Sequence, residues 1–305
     1  MEETLRGIPK TVVFLDDVCV TGINRRDHLN NLRLVLERLR SMGFTVKLEK
    51  YSFLQYSVKY VGFIVDKTGL RPDPKKLQAI RDVPKPISIT ELKSFLGMLN
   101  YYRKFIPNLS ILLQPLHELL KKESAWHWSV LCQEAFSAAK NILTSNKVLA
   151  YYEEGRPLVL SVDSSTYGLG AVLANVYSNG SERPVSCVSR TLNSAERNYS
   201  QLDKEALAIF FGVTKHHQYL FGRSFILRTD HQPLSFIFGK KGGIPQTAAS
   251  RLQRWAARLS GYNFSVQFVR STANAPADAL SRLPLPNERR HTETVQYVDL
   301  VHYAG

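Results

Sequence analysis

Cysteine is scarce in this sequence, and the three that occur, Cys19, Cys132 and Cys187, are far apart. No Cys-x-x-Cys pair is present, which argues against a disulfide framework and against a cysteine-based zinc site. Long apolar runs are also missing, since none approaches the roughly 20 residues that a membrane-spanning helix needs. The Met-Glu-Glu start carries the wrong charge for a signal peptide. We therefore expect a soluble, intracellular protein with no membrane partner.

Acidic residues are in the minority. Asp and Glu number 26 against 40 Lys and Arg, which gives a formal charge of +14 and an isoelectric point near 9.7. Such a charge favours polyanions such as nucleic acid, although a basic surface can also serve solubility or an anionic membrane. The length of 305 residues and a hydrophobic fraction of 44% are typical of about two globular domains with ordinary cores.

The N-terminal third contains an acidic pair between two β-branched runs. Asp16 and Asp17 follow residues 11–15 and precede residues 18–20, which predicts a hairpin with both acids at its tip. An Asp pair is also a good turn former, so a plain turn is the alternative. The leucine spacing of residues 25–42 predicts an amphipathic helix.

Further along this third, residues 44–48 and 58–65 read as strands, and residues 75–82 read as a short helix. Several prolines then mark a boundary near residue 85.

Residues 86–150 have a helical pattern. Ser88 and Glu91 form a capping-box pattern that predicts a helix start, and an apolar stripe follows them. Two further helices are expected over residues 109–121 and 130–143. The aromatic residues of this segment are more often core than a platform for stacked bases.

Asp163 stands at the end of a strand-like run. In a β-strand Leu158, Leu160 and Val162 would lie on one face, so Asp163 would lie on the opposite face. A carboxylate in a mostly apolar strand is costly unless a cation neutralises it, and Mg²⁺ is the usual partner of hard oxygen ligands. The alternative is an Asp that merely begins a turn.

Three more carboxylates occur at element edges in the same half of the chain. Glu205 lies beside the buried stripe of a long helix that Asn193 or Ser194 is expected to cap, Asp230 ends a strand, and Asp278 falls in the first turn of a last helix. Each has a simpler explanation, such as a surface ion pair for Glu205 or the helix dipole for Asp278. Together they outline a metal site on a βββαβαβα pattern.

A cationic helix is predicted over residues 248–260. It places Arg251, Arg254 and Arg258 on one face and apolar residues on the other. Three arginines on one helical face can contact successive phosphates of a nucleic-acid backbone, although a solvated cationic face is the commoner explanation.

These patterns match known motifs over nearly the whole chain. Phe14-Leu15-Asp16-Asp17 resembles the Tyr-x-Asp-Asp palm motif of reverse transcriptases, with Phe14 in place of the usual Tyr, and residues 60–76 resemble the end of the palm in gypsy-type LTR retrotransposons. Residues 91–107 resemble the thumb of the same polymerases. The RNase H domain of that family is matched by four runs: Val162-Asp163 with residues 168–173, residues 199–209, residues 229–234, and residues 274–282.

The resemblance implies a fold and its parts. We expect an α/β protein in which residues 1–85 form an α+β palm remnant and residues 86–150 a helical thumb. Residues 151–283 would form an RNase H-like mixed five-stranded sheet with flanking helices, and residues 284–305 a linker or tail.

The resemblance also implies chemistry. In the RNase H family four acids hold two Mg²⁺ ions, for which Mn²⁺ can substitute, and the RNA strand of an RNA/DNA hybrid is hydrolysed. If the family's ligand roles apply to the matching residues here, Asp163 would bridge the two ions. Glu205 and Asp230 would complete the coordination shell of one ion, and Asp278 would complete that of the other. His231 is the nearest candidate for proton transfer, because residues 264–277 lack the histidine of cellular members. In the palm, Asp16 and Asp17 would hold Mg²⁺ for nucleotide addition.

Several expectations remain open. The upstream part of the palm has no counterpart in this sequence, so we expect no polymerase activity from residues 1–85. We also expect residues 1–89 to be only marginally stable, because Leu15, Val18 and Val20 would lack partner strands. A non-catalytic nucleic-acid-binding remnant and a truncated gene model are the alternatives. The family further implies a homodimer and a cytoplasmic, virus-like-particle context with nuclear access.

Overall fold

The structure is a computed structural model that describes residues 1–121, 126–144, 148–238, 250–269 and 298–302. Two compact units are distinguished by their internal contacts. The first comprises residues 1–77 with 284–305, and the second comprises residues 78–283.

Twelve strands and eleven α-helices occur in the described residues. The strands are β1 (Thr11–Phe14), β2 (Asp17–Thr21), β3 (Ser52–Gln55), β4 (Ser57–Tyr60), β5 (Phe63–Asp66), β6 (Gly69–Pro72), β7 (Leu158–Ser164), β8 (Gly168–Val176), β9 (Glu182–Thr191), β10 (Ser224–Thr229), β11 (Asn263–Phe268) and β12 (Val298–His302). The helices are α1 (Arg25–Ser41), α2 (Pro74–Asp82), α3 (Ile89–Tyr101), α4 (Leu109–Leu112), α5 (Gln114–Glu118), α6 (Val130–Thr144), α7 (Ser194–Arg197), α8 (Gln201–Lys215), α9 (His217–Leu220), α10 (Gln232–Ile237) and α11 (Ser250–Leu259).

The first unit contains a four-stranded sheet that includes the C-terminal tail. Strands β1 and β2 form the predicted hairpin, and β12 pairs antiparallel with both β2 and β3, so the strand order is β1-β2-β12-β3. Strand β2, which contains Val18 and Val20, is paired on both sides, so the expectation that these residues lack partner strands was wrong. Both side chains are buried, at 1% and 0% exposure, in a cluster with Val35 of α1. Leu15, in the turn, is 76% exposed.

Two predicted strands of this unit differ from the structure, one by its absence and one by a turn that divides it. Residues 44–48 form no strand and lead into a 3-10 turn, Leu48–Lys50. Residues 58–65 are divided into β4 and β5 by a turn in which both Val61 and Gly62 have positive φ angles, and β6 completes a three-stranded sheet. A single bulky residue with positive φ is uncommon, so alternation alone gave no signal of this turn.

The helical segment of the second unit begins as predicted. Ser88 accepts a hydrogen bond from the backbone N–H of Glu91, and the stripe Leu92, Phe95, Leu96 and Leu99 is buried. Phe95 contacts Phe136 of α6 with ring centroids 4.7 Å apart, which confirms the interpretation of these residues as core. The single helix predicted over residues 109–121 is instead the pair α4 and α5.

The rest of the second unit is built on a mixed five-stranded sheet. Its order is β11-β10-β7-β8-β9, with β7, β8 and β9 antiparallel and with β10 parallel to both β7 and β11. Helix α8 packs on one face, where Gly212 lets it approach closely: a Cβ there would lie 2.9 Å from Val162 Cγ1. This confirms the expected α/β architecture.

The start of the long helix differs from expectation. Asn193 caps the short helix α7 with a complete capping box, whereas Ser200 caps α8 by accepting from the N–H of Asp203. Among the described residues, no helix is both long and apolar enough to cross a membrane.

Candidate metal centre

Three carboxylates converge at one edge of the five-stranded sheet. Asp163 belongs to β7, and Asp230 follows the last residue of the neighbouring parallel strand β10. The register pairs Arg228 with Ser161, so continuing it by two residues sets Asp230 beside Asp163. Glu205 reaches the same place from α8. Ligand oxygens of the three residues all lie within 4.8 Å of one another.

Glu205 is the most buried member of the triad, at 3% exposure. Its Oε1 accepts hydrogen bonds from Ser164 Oγ at 2.6 Å and from Gln201 Nε2 at 2.7 Å. Its Oε2 is buried and has no hydrogen-bond partner among the described residues. Burial raises the pKa of Glu205 to about 7, and the charges of Asp230 and Asp163 act in the same direction against the hydrogen bond from Ser164.

Asp163 is half-buried and interacts with a residue far away in sequence. Its Oδ2 accepts a hydrogen bond from Asn108 Nδ2 at 3.1 Å. Burial is the main cause that raises the pKa of Asp163, and the nearby charge of Asp230 adds to it. Burial is thus the main cause of both shifts, and the nearby carboxylate charges add to each pKa.

The donor set fits a divalent cation. Within the described part of the chain, no Lys or Arg side chain forms an ion pair with Asp163 or Glu205. Clustered carboxylate oxygens are the ligands that Mg²⁺ and Mn²⁺ prefer, and a cation would satisfy the orphaned Oε2 of Glu205. A bound cation would also reverse the direction of both pKa shifts.

The remaining sequence-predicted ligands have different positions. Asp278 lies outside the described residues. His231 precedes α10, its N–H donates to Thr229 Oγ1 at 3.2 Å, and its Nδ1 is buried without a partner among the described residues. Asp16 and Asp17 lie at the β1–β2 turn of the first unit. Among the described residues the triad is the one group of three or more ligand side chains that converges, and neither of these aspartates belongs to it.

The three arginines of α11 line one cavity of about 770 Å³ between α8, α11 and β9. The guanidinium of Arg251 lies 4.1 Å from the ring centroid of Tyr199 and pairs with Asp203 at 3.7 Å. Arg254 and Arg258 line the same cavity, whose aromatic wall includes Trp255 stacked on Phe210. The cavity therefore combines cationic and aromatic side chains.

Sequence reasoning missed three side chains that contact the triad. Ser164 adjoins Asp163, and Gln201 lies four residues before Glu205 on α8, so adjacency and helical spacing were sufficient signals for both. Asn108 lies 55 residues before Asp163 in a different part of the chain. No periodicity connects the two positions.

Comparison with known families finds the same two domain types that the sequence motifs resemble, a reverse transcriptase and an RNase H-like domain. A family model described as an RNase H-like domain found in reverse transcriptase matches residues 153–262, and a reverse transcriptase (RNA-dependent DNA polymerase) model matches residues 1–65. The retrovirus-related Pol polyprotein from transposon 297 of Drosophila melanogaster is 36% identical over 94% of this chain, and that from transposon opus is 38% identical over 89%. The chain spans 26% and 28% of those two polyproteins, about a quarter of their length.

Solved structures share the fold. The foamy viral protease-reverse transcriptase in complex with RNA/DNA hybrid superposes with a TM-score of 0.70 at 21% identity, covering 96% of this chain and 39% of that one. A dRH form of the foamy viral enzyme in complex with double-stranded DNA superposes with a TM-score of 0.71 at 22% identity, covering 88% of this chain and 48% of that one. With two family models and several polyproteins in agreement, the chain belongs to the reverse transcriptase and RNase H family of retrotransposon Pol polyproteins.

Proposed function

We propose that this chain carries a metal-dependent ribonuclease H that hydrolyses the RNA strand of RNA/DNA hybrids. The observation that carries the proposal is the convergence of Asp163, Glu205 and Asp230, from two strands and a helix, within 4.8 Å. The match of residues 153–262 to an RNase H-like domain gives the reaction class. A hybrid bound to a foamy viral reverse transcriptase of the same fold supports the substrate.

Asp163, Glu205 and Asp230 are the proposed ligands of Mg²⁺, with Mn²⁺ as a substitute and Asp278 as a fourth ligand. When bound, such ions would supply Lewis-acid activation of a water and charge stabilisation for the leaving oxygen of the RNA strand. The protein's own contribution is to fix the carboxylates: Ser164 and Gln201 hold Oε1 of Glu205, which leaves its Oε2 for a cation.

His231 is the proposed proton carrier. It follows Asp230 directly in the chain, and its buried Nδ1 has no partner among the described residues. A His231→Ala variant that cleaves hybrid as fast as the wild type, at every pH, would remove it from the mechanism.

The cavity lined by the α11 arginines is the proposed contact for the hybrid backbone. Arg251, Arg254 and Arg258 offer guanidinium groups to phosphates, and the aromatic wall offers stacking surface. Replacing Arg254 and Arg258 with Ala should weaken hybrid binding and lower the slope of its salt dependence by about 2. An unchanged slope would place the nucleic acid elsewhere.

The first unit is proposed as the palm part of a reverse transcriptase, in which Asp16 and Asp17 would hold Mg²⁺, while the expectation that residues 1–85 do not polymerise stays a prediction. We propose the division into residues 1–85, 86–150, 151–283 and 284–305 as palm, thumb, RNase H and tail. A homodimer and a cytoplasmic, virus-like-particle context with nuclear access are carried over from the family. Sedimentation of the purified chain tests the dimer, and fractionation of expressing cells tests the location.

Cleavage of a labelled RNA/DNA hybrid in Mg²⁺ tests the proposed activity. Asp163→Asn, Glu205→Gln and Asp230→Asn should each reduce the cleavage rate by at least roughly 100-fold, because each removes a charge that holds the ions. Glu182→Gln is the matched control, since it removes a carboxylate of the same sheet that pairs with Arg228 outside the triad. Salt-dependent hybrid binding with no cleavage by the wild type would favour a non-catalytic binding protein instead.

A further inference from the structure

Asn108 connects the helical segment to the candidate metal centre. It lies just before α4, outside residues 153–262 that match the RNase H-like domain. Its side-chain Nδ2 donates to Asp163 Oδ2 at 3.1 Å. The contact is therefore supplied to the centre by a part of the chain that precedes the nuclease domain.

The backbone of Asn108 is suited to this contact. Its φ and ψ angles are 50° and 30°, in the left-handed region, which Asn adopts more readily than most residues. Neighbouring residues fix the segment on the sheet: Ser110 donates through N and Oγ to Ser189 Oγ of β9 at 3.1 and 3.0 Å. Leu109 is buried at 6% exposure. The amide is thus held in place rather than swinging freely.

The sheet leaves room for this amide at one position. Gly170 of β8 is paired with Asp163 in the antiparallel register. A Cβ built on Gly170 would fall 1.6 Å from Asn108 Oδ1. Glycine is therefore required opposite Asp163 if Asn108 is to reach the carboxylate.

The chemistry of the contact is specific. An amide N–H donated to a carboxylate stabilises the ionised form and fixes the plane of the carboxylate, without occupying the remaining lone pairs. Groups that hold a metal ligand by hydrogen bonds commonly set the affinity of the site.

We propose that Asn108 is a positioning residue for the metal centre: it orients Asp163 toward Glu205 and Asp230. The inference rests on the proposed function, because it assumes that the triad binds a divalent cation. Asn108 itself contacts no reacting atom in this account.

The test compares three variants of the full chain by calorimetric titration with Mn²⁺. Asn108→Gly removes the amide and tolerates the left-handed backbone, so the loop geometry is kept. Gly170→Ala leaves Asn108 in the sequence but fills the space that its side chain occupies. Ser110→Ala is the matched control, because it removes a hydrogen bond of the same docked segment without touching Asp163.

We expect Asn108→Gly and Gly170→Ala to weaken Mn²⁺ binding roughly 10-fold, while Ser110→Ala changes it less than about 2-fold. In hybrid cleavage, the same two variants should need correspondingly more Mg²⁺ for half-maximal rate, with hybrid affinity unchanged. Melting in EDTA checks that all three variants fold.

Equal or tighter Mn²⁺ binding by Asn108→Gly would overturn the proposal, as would a wild-type chain that binds no Mn²⁺. The ribonuclease assignment can fail separately. If the wild type binds Mn²⁺ more tightly than Asn108→Gly but cuts no hybrid, Asn108 keeps its role and the activity is wrong.

Discussion

Glu205 is the side chain that makes the candidate metal centre electrostatically costly without a cation. It is 3% exposed, its hydrogen bonds reach only Oε1, and two other carboxylates lie within 4.8 Å. Burial raises its pKa to about 7. The protein therefore carries at this position an acid that is unfavourable when ionised and that a divalent cation would render favourable.

The raised pKa of Glu205 predicts a pH-dependent stability in EDTA. Between its ordinary value of 4.5 and about 7, the folded state keeps a proton that the unfolded state has released, so the free energy of unfolding falls as pH rises. Glu205→Gln should make this fall smaller and be more stable than the wild type at pH 8, by about 3 kcal/mol at most. Urea denaturation at pH 5 and pH 8 measures it.

The same denaturation experiment can be repeated with Mn²⁺ in place of EDTA. At pH 8, the ion should raise the unfolding free energy of the wild type more than that of Glu205→Gln, because the variant has lost one charged ligand. A Glu205→Gln variant with the same pH dependence of stability as the wild type in EDTA would show that Glu205 does not contribute the predicted fall.

The packing of α8 on the sheet brings Glu205 to Asp163, and it depends on Gly212. A Cβ at this position would lie 2.9 Å from Val162 Cγ1 and 3.0 Å from Ala171 Cβ. Neither neighbour is the end of a long flexible side chain, so the helix itself must move away. Because Val162 precedes Asp163, such a shift also changes the geometry of the triad.

Gly212→Ala should therefore destabilise the protein. Overpacking costs about 1–3 kcal/mol, which exceeds the roughly 1 kcal/mol that Ala gains over Gly in a helix. The matched control is Gly97→Ala in α3, where an added Cβ meets nothing within 4 Å, so only the helix gain of up to about 1 kcal/mol is expected. Urea midpoints of the two variants that shift in the same direction would contradict the packing argument.

Local patterns predicted the elements that carry the triad. Alternation in residues 158–162 and the apolar stripe of α8 follow from burial against one core, so β7 and the position of Glu205 were readable in the sequence. Tertiary contacts decided the rest. The turn at Val61 has an unusual positive φ, and the contact of Asn108 with Asp163 spans 55 residues, so neither leaves a periodic signal.

The first unit contains segments from both ends of the sequence. The tail, interpreted from its prolines and charges as a linker, contributes β12 to the sheet of the first unit, between β2 and β3. Strand pairing between residues so distant in sequence cannot be read from local composition. It satisfies backbone groups of β2 and β3 that would otherwise form open edges.

Removal of residues 284–305 should therefore loosen the first unit. Without β12, strands β2 and β3 lose their shared partner, and limited proteolysis should cut within residues 1–77 faster than in the full chain. The helical segment and the five-stranded sheet of the second unit should be unaffected and serve as the internal control. Identical cleavage rates in residues 1–77 would contradict the role of β12.

The metal centre is tested most directly by an anomalous difference map from a crystal soaked in Mn²⁺. We expect a peak within coordination distance, roughly 2.1 Å, of carboxylate oxygens from Asp163, Glu205 and Asp230 together. A map with no peak among these three side chains, or with Mn²⁺ bound only elsewhere, would contradict it.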